Sequence, residues 1–530
     1  MARDDRSSGG GSGNETGRAG RRRRAVRTPR ETAGGEAAGG VALSRILPRA
    51  TFYAADDIVA EGCCGDAAAC RPGDVFVARL TATGDGHDEV SQALARGVVG
   101  VVAERMVPTF GTPLCVVPDS GWALARMHHA LAGDPSHRMR VIAVTGTSGK
   151  TTTAWLAAAV LSEAGLRVGV LSDLGCVDAE LAEPEAADLG QPRVLAGWLR
   201  RLAAGGCTHA IVEVSSRMLA EHALAGVACD TVVVTSLASA HLDAHGTSAA
   251  YRAVKSRILD CLCSQGCLVA NGDDVRVARL VARRAAAAPA APVITAALKA
   301  DAHVTAAPVE RSLSGQTFLA RSGGHSMPVA VSTPVSAFAR DCLLAAAVGR
   351  RFGVPLERSA RGIEAAGSVP GRVERIDRGQ DHAVFVDHPT SGHALAAALR
   401  GLRRLTPGRL VVLAEERLVD RLAAAAGGQV GVLGDFGRRI SRWADDCLVV
   451  PATLLDEEGA AADLAAYARV DRLLAKLRPE DCLLVLGDQP VARDPWGDPD
   501  GPLPSLAAVV DGWLQLAHAP QPFGTGRRAA

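Results

Sequence analysis

The residues best suited to chemistry lie in a glycine-rich turn, Gly146-Thr147-Ser148-Gly149-Lys150-Thr151-Thr152, which follows the apolar run Val141–Val144 and opens into a helix-compatible segment. Glycines let backbone N–H groups approach phosphate oxygens, and a helix starting there points its positive end at the same place. Lys150 would add a point charge for terminal phosphates, and the Thr151 hydroxyl would face Mg²⁺. The longer phosphate-loop pattern wants a glycine where Val144 stands, so the match to that pattern is partial. A ligand-free strand-to-helix turn is the alternative, but it leaves Lys150-Thr151 without a motive. Glu213, Ser215, Ser236, His241 and Asn271 fall at the ends of other apolar runs. Any one of them alone suits a structural duty. Together with the turn they make a polar rim around one crevice.

The elements that must position these residues read as alternating strands and helices. Strands are expected at Val141–Val144, Val168–Leu171, His209–Val214, Thr231–Thr235 and Cys267–Ala270, separated by longer helical patterns. That alternation predicts a parallel sheet covered on both faces, with ligands at the carboxyl ends of its strands. Before it, 41–138 reads as a small α/β domain with strands Asp74–Ala78, Val98–Ala103 and Leu114–Val117 and a short helix Val90–Ala95. After the central domain, 139–370, a second doubly wound domain spans 371–516, with strands Ala383–Asp387, Leu410–Leu413, Val430–Leu433, Cys447–Val450 and Leu483–Leu486. Three domains of ordinary size agree with 530 residues.

Residues 1–40 hold almost no large apolar side chain and are expected to be a disordered tail, and 517–530 a frayed one. The basic run Arg21–Arg24 reads as a solvated arm. With 58 Lys and Arg against 57 Asp and Glu, composition makes no case for a nucleic-acid partner. No apolar stretch is long enough to cross a bilayer and no leader pattern opens the chain, so a cytoplasmic location is expected. The 13 cysteines are scattered and read as reduced core residues. The clusters Cys63-Cys64-Cys70 and Cys261-Cys263-Cys267 lack zinc-site spacing.

The chain resembles the Mur ligase family from about residue 42 to 490, most closely its type E members, which add the third amino acid to UDP-MurNAc-L-Ala-D-Glu. Val144–Thr153 is similar to that family's short G-T-x-G-K-T phosphate loop, which has no need of the earlier glycine. Glu213-Val214-Ser215-Ser216 is similar to its E-V-S-S segment, whose acid holds Mg²⁺. The run Thr235–Tyr251 resembles T-N-L-x-x-D-H-L-D-x-H-G-x-x-x-x-Y, which implies His241 as a second Mg²⁺ ligand and puts Lys255 where the family carries a carbamate. Asn271-Gly272-Asp273-Asp274 resembles the N-x-D-D turn near the nucleotide, and Val369–Glu374 the V-P-G-R-M-E junction, which brings Arg372 to the nucleotide. In the first domain Arg71–Ala78 and Asp85-Gly86-His87-Asp88 also fit; Asp85, His87 and Ser215 are the expected substrate contacts.

The resemblance therefore implies a three-domain α/β protein with a central phosphate-loop sheet and a Rossmann-like C-terminal domain. It also implies an ATP- and Mg²⁺-dependent amide ligase of peptidoglycan precursor synthesis, with a UDP-MurNAc-peptide and an amino acid as substrates, acting as a monomer. Lys150, His241 and Lys255 would be catalytic; Gly146 to Thr152, Asn271 and Arg372 would hold the nucleotide; Thr151, Glu213 and His241 would hold metal. Departures concentrate in the substrate half. The D-S-R triplet stands as Asp66-Ala67-Ala68, the T-T-P segment has no counterpart near Glu183-Pro184-Glu185, and the adenine-side Asn is Asp341. In the third domain D-Y-A-H-T-P-D-A-L stands as Asp387–Leu395, and Ala414-Glu415-Glu416-Arg417 replaces a Gly-rich segment. D-N-P-R is absent around Val450–Glu458, and G-K-G-H-E is Gly487-Asp488-Gln489-Pro490. Two alternatives follow: a nucleotide-binding paralogue with a scaffold or regulatory role, and a related folyl- or cyanophycin-type amide ligase.

Overall fold

The structure is a computed structural model that describes residues 40–81, 84–178, 187–238, 245–425, 436–438, 440–451 and 464–487, together with 506, 510, 511, 514 and 515. The expected tails, His241, the region of Glu183–Glu185, the strand expected at Val430–Leu433, the D-N-P-R region beyond 451 and Asp488–Pro490 lie outside the described residues.

The strand Arg140–Thr145 is the axis of the central sheet. It pairs in parallel with His209–Val214 on one side and Cys229–Val234 on the other. Its alternate side chains serve two cores: Ile142 and Val144 pack with the helix Lys150–Glu163, while Val141 and Ala143 pack with the helix Pro192–Ala204. A strand buried on both faces has to be apolar throughout, which is why this one reads as a run rather than as an alternation.

Among the described residues the sheet has ten strands. Beyond Cys229–Val234 it continues in parallel through Leu262–Asn271, Val293–Ala297 and Val304–Ser312, then antiparallel through Gly315–Ser322 and His325–Val331. The sequence reading missed Val293–Ala297 and the antiparallel extension. Pro308 and Pro328 interrupt the strand signal of that extension, and Pro308 sits at a register shift. The turn signal Gly323-Gly324 does mark one hairpin, with φ of 57° and 84° and Ser322 facing His325.

The N-terminal sheet orders its strands Thr51–Tyr53, Leu114–Val116, Gly100–Ala103, Asp74–Val77 and Gly62–Cys64. The C-terminal sheet orders Glu374–Ile376, Ala383–Asp387, Cys482–Leu486, Leu410–Glu415 and Asp446–Val450. The helix Ser336–Arg351 joins the C-terminal core to the central one. Its Phe338, Leu343 and Leu344 belong to the same buried cluster as Ile142 and as Phe385, Leu399 and Val412.

One expectation is corrected. Cys64 and Cys70 are joined by a disulfide, with Cα atoms 5.6 Å apart, so not every cysteine is reduced. The turn Ala67–Ala69, capped by Asp66, folds Cys70 back over the strand that ends at Cys64. Among the described residues no helix is long and apolar enough to cross a membrane.

Candidate active site

Three neighbouring strands of the central sheet end at one place, and the loop 146–149 lies over their carboxyl ends. Gly149 has φ 83°, and a Cβ there would stand 2.7 Å from Asp341 Oδ1; a Cβ at Gly146 would collide with Thr235 Oγ1. The next strand end clamps the loop: Thr235 Oγ1 donates to the Ser148 carbonyl at 2.5 Å, and Ser148 N–H donates to Ser236 Oγ at 3.0 Å. Thr147 N–H donates to the Ser236 carbonyl at 3.0 Å, and its hydroxyl to the Ala238 carbonyl at 2.9 Å. Asn271 holds this clamp from the following strand, its Nδ2 donating to the Thr235 carbonyl at 2.8 Å. The helix then starts at Lys150, so its unpaired N-terminal N–H groups face the same crevice.

Lys150 Nζ lies 3.4 Å from Glu213 Oε1. Burial works against the lysine charge, but Glu213 and Asp173 outweigh it and hold its pKa above the ordinary value. Glu213 is pushed upward by burial and by Asp173, with Lys150 and Arg372 opposing. Its Oε2 accepts from Asp173 N–H at 3.2 Å, while Oε1 is buried with no hydrogen bond. The lysine is thus within ion-pair distance of Oε1 without hydrogen-bond geometry. A buried carboxylate oxygen without a donor, beside a phosphate loop, suits a hard cation such as Mg²⁺, which takes one or two carboxylates and draws its other ligands from phosphates and water. Among the described residues no group of three or more His, Cys, Asp or Glu could hold a metal by itself.

Lys255, 2% exposed, comes from the helix Ser248–Ser256 and lies under the loop, where its Nζ donates to Thr145 Oγ1 at 3.2 Å. Burial first, then the Lys150 charge, drive its pKa well below the ordinary lysine value. From the C-terminal side, Arg372 bridges the two halves: Nη2 donates to Thr151 Oγ1 at 3.2 Å and Nη1 to the His388 carbonyl at 2.7 Å. Ser391 Oγ donates to the Thr147 carbonyl at 3.5 Å, and His393 Nδ1 lies 3.4 Å from Ser148 Oγ. A cavity between the halves is lined by Gly149, Lys150, Thr151, Phe338, Asp341 and Arg372. Burial, opposed by Arg340, pushes Asp341 up to about 7, and burial, opposed by Arg372, pushes Asp387 up to about 6.

The residues expected at the nucleotide, 146–152, Asn271 and Arg372, are therefore brought together with Glu213 and Lys255. Ser215 follows Glu213 and caps the next helix, its Oγ accepting from Met218 N–H at 3.1 Å. Asp85 and His87 are not brought to the loop by any hydrogen bond among the described residues; both are braced inside the N-terminal part. Asp85 Oδ1 pairs with His87 Nδ1 at 2.5 Å and Oδ2 accepts from Arg105 at 2.9 Å, while His87 Nε2 accepts from Glu104 N–H at 3.1 Å. The hydrogen bonds from His87, then Arg105, hold Asp85 down at about 2. Sequence reasoning missed Asp173 and His393. Asp173 directly follows the strand Val168–Ser172, so the strand-end rule was sufficient to find it.

The chain matches the Mur ligase middle domain over residues 144–349. It is 30% identical over 454 residues to the UDP-N-acetylmuramoyl-L-alanyl-D-glutamate--2,6-diaminopimelate ligase of Chlorobaculum tepidum, covering 81% of this chain and 87% of that one. It is 32% identical over 480 residues to the UDP-N-acetylmuramyl-tripeptide synthetase of a Roseiflexus species, covering 80% and 88%. A solved structure bearing the diaminopimelate ligase name superposes with a TM-score of 0.65 at 20% identity, over 90% of this chain and 99% of that one, which shows the three-domain fold. With relatives this similar over most of both lengths, the chain belongs to the Mur ligase family.

Proposed function

We propose that the protein is an ATP-dependent amide ligase that adds an amino acid to a UDP-MurNAc-peptide in peptidoglycan precursor synthesis. The observation that carries this reading is the Lys150–Glu213 pair at the phosphate loop, with one Glu213 oxygen buried and undonated. Such a pair has little structural motive, because a buried ion pair offsets its desolvation only with full hydrogen bonding. It suits a site that is completed by phosphates.

In this reading the substrate carboxylate attacks the γ-phosphorus of ATP, the bond to the β–γ bridging oxygen breaks, and ADP leaves. The acyl phosphate is then opened by the incoming amine, which loses a proton as phosphate departs. Catalysis of this kind is positioning and charge neutralisation. Lys150 neutralises terminal phosphate charge, and the loop N–H groups and Asn271-braced clamp fix the phosphates. Arg372, Ser391 and His393 hold the C-terminal half against the loop, which excludes water from the reactive acyl phosphate. Mg²⁺, when bound by Glu213 and Thr151 and by His241, supplies further neutralisation of the phosphate oxygens. We assign Lys255 as the residue modified to a carbamate: its neutral amine forms a bond to the carbon of CO₂ and releases one proton. The support is its burial and depressed pKa, since only the neutral amine is nucleophilic.

Asp85, His87 and Ser215 are assigned to the muramyl side through the family pattern, Asp85 and His87 within a braced loop and Ser215 beside Glu213. The domains are taken as 41–138, 139–370 and 371–516, and the protein as a cytoplasmic monomer, as the family resemblance implies. The test is ADP release and amide formation with ATP, UDP-MurNAc-dipeptide and a panel of amino acids. Amide formation dependent on all three components supports the reading. ATP binding without any amide product would favour the scaffold or regulatory alternative.

A further inference from the structure

The cysteines that the sequence groups as 261, 263 and 267 are grouped differently in space. Cys267 packs on the face of the central sheet that carries the Lys150–Glu163 helix. Cys229 and Cys261 are neighbours on the opposite face, where Cys229 faces Leu262 in the strand register and Cys261 directly precedes Leu262. Cys229 is fully buried, whereas Cys261 and Cys263 are half-buried and line a cavity of about 430 Å³ together with Trp122, His222 and Arg257. Asp260, Ser264 and Gln265 beside them are exposed, so this segment reaches the surface. Nothing in the ligation chemistry uses these thiols.

We propose that Cys261 and Cys229 are a peroxide-sensitive pair that closes to a reversible disulfide, Cys261 attacking first and Cys229 resolving. The asymmetry of the pair supports the order. Cys261 lines the cavity beside the exposed Asp260, whereas Cys229 is fully buried. In the same sense the neighbouring Cys229 thiol, then the Arg257 charge, lower the Cys261 pKa against burial and Asp260, while the Cys261 thiol and burial raise that of Cys229. The Cys261 thiolate attacks one oxygen of hydrogen peroxide; the O–O bond breaks and the departing hydroxide takes a proton to become water. Cys229 sulfur then displaces hydroxide from the Cys261 sulfenic acid, and the Cys229 proton leaves with it as a second water. Two thiols and one peroxide become one disulfide and two waters.

The bond would close the loop between residues 229 and 261, which contains Thr235 and Ser236 of the phosphate-loop clamp and Lys255 beneath it. Drawing the two sulfurs to about 2.05 Å moves the end of the turn Arg257–Cys261, and with it the helix that carries Lys255.

The full chain is treated with hydrogen peroxide, alkylated and digested, and its crosslinked peptides are mapped. The expected result is a Cys229–Cys261 peptide that dithiothreitol removes. Cys261→Ser abolishes it, and Cys229→Ala leaves a sulfenic acid on Cys261 that a dimedone probe captures, a readout that does not depend on the disulfide. ADP affinity of the oxidised chain should shift by about threefold or more and return on reduction. A Cys261–Cys263 link instead, or an unreactive Cys261 in folded protein, overturns the pair. A Cys229–Cys261 bond that leaves ADP affinity unchanged overturns its coupling to the nucleotide site. The mapping needs no ligation activity, so it stands or falls apart from the proposed reaction.

Discussion

Lys150 and Asp341 face the same cavity with opposite consequences for a bound phosphate. Lys150→Met removes the buried cation at the terminal phosphates, and losses of a single preorganised charge of this kind run to about 10²–10³-fold in turnover. The check is steady-state ADP release by the variant at saturating ATP. Asp341 lies against Gly149, and its carboxyl, pushed up to about 7, is neutral below that pH and anionic above it. The folded chain holds this proton more tightly than the unfolded chain. The group's contribution to stability is therefore full below its ordinary value near 4 and is lost as pH rises through about 7. An ionised Asp341 also repels phosphate, so ADP should bind more weakly at pH 8 than at pH 6. Asp341→Asn should flatten this dependence and tighten binding at the higher pH, by up to about tenfold for each unit of perturbation relieved. Titration calorimetry of both proteins across that range decides it, and an unchanged slope in the variant counts against the assignment.

At the level of elements the site depends on a turn that only one residue type fits. Gly149→Ala meets both a left-handed backbone and the Asp341 carboxylate. A cost of about 1–3 kcal/mol is expected for the backbone alone, visible as a lower denaturation midpoint together with lost nucleotide binding. The turn itself was legible in the sequence because Gly-Lys-Thr after an apolar run has a physical meaning, and so were the strands that bear Glu213 and Thr235. Asp173 stands just past a strand that was expected to end at Leu171, so the strand-end rule reaches it although it was not singled out; His393, in the first turn of the helix Gly392–Arg403, carries no signal until the chain folds it onto the phosphate loop. The strands Val304–Ser312 and His325–Val331 were hidden by Pro308 and Pro328, and the alanine-rich stretch before Val293 gave periodicity nothing to register. Cys64–Cys70 was invisible for a different reason: a disulfide depends on where a turn sends the chain, and spacing alone does not say.

Across the whole molecule, one continuous core runs from the central sheet through the helix Ser336–Arg351 into the C-terminal sheet, so both walls of the nucleotide cavity rest on the same packing. Arg372 is the polar counterpart of that continuity, reaching from the junction to Thr151 and to the His388 carbonyl. Arg372→Ala removes charge-assisted hydrogen bonds of about 1.5–3 kcal/mol each. It should slow turnover by at least about tenfold while leaving the fold intact, which stopped-flow ADP release and circular dichroism together resolve. Lys255 belongs to this scale too, since its depressed pKa is a product of burial beneath the loop; isotope-labelled CO₂ should give a carbamate signal that Lys255→Ala removes. As proposed, these parts together make a working amide ligase on a muramyl peptide. The most direct measurement incubates the purified chain with ATP, Mg²⁺, UDP-MurNAc-dipeptide and single amino acids and quantifies ADP and amide product by mass spectrometry. A stoichiometric amide product with at least one amino acid, absent without ATP, is the predicted result. ADP binding with no amide product from any amino acid tested would contradict it.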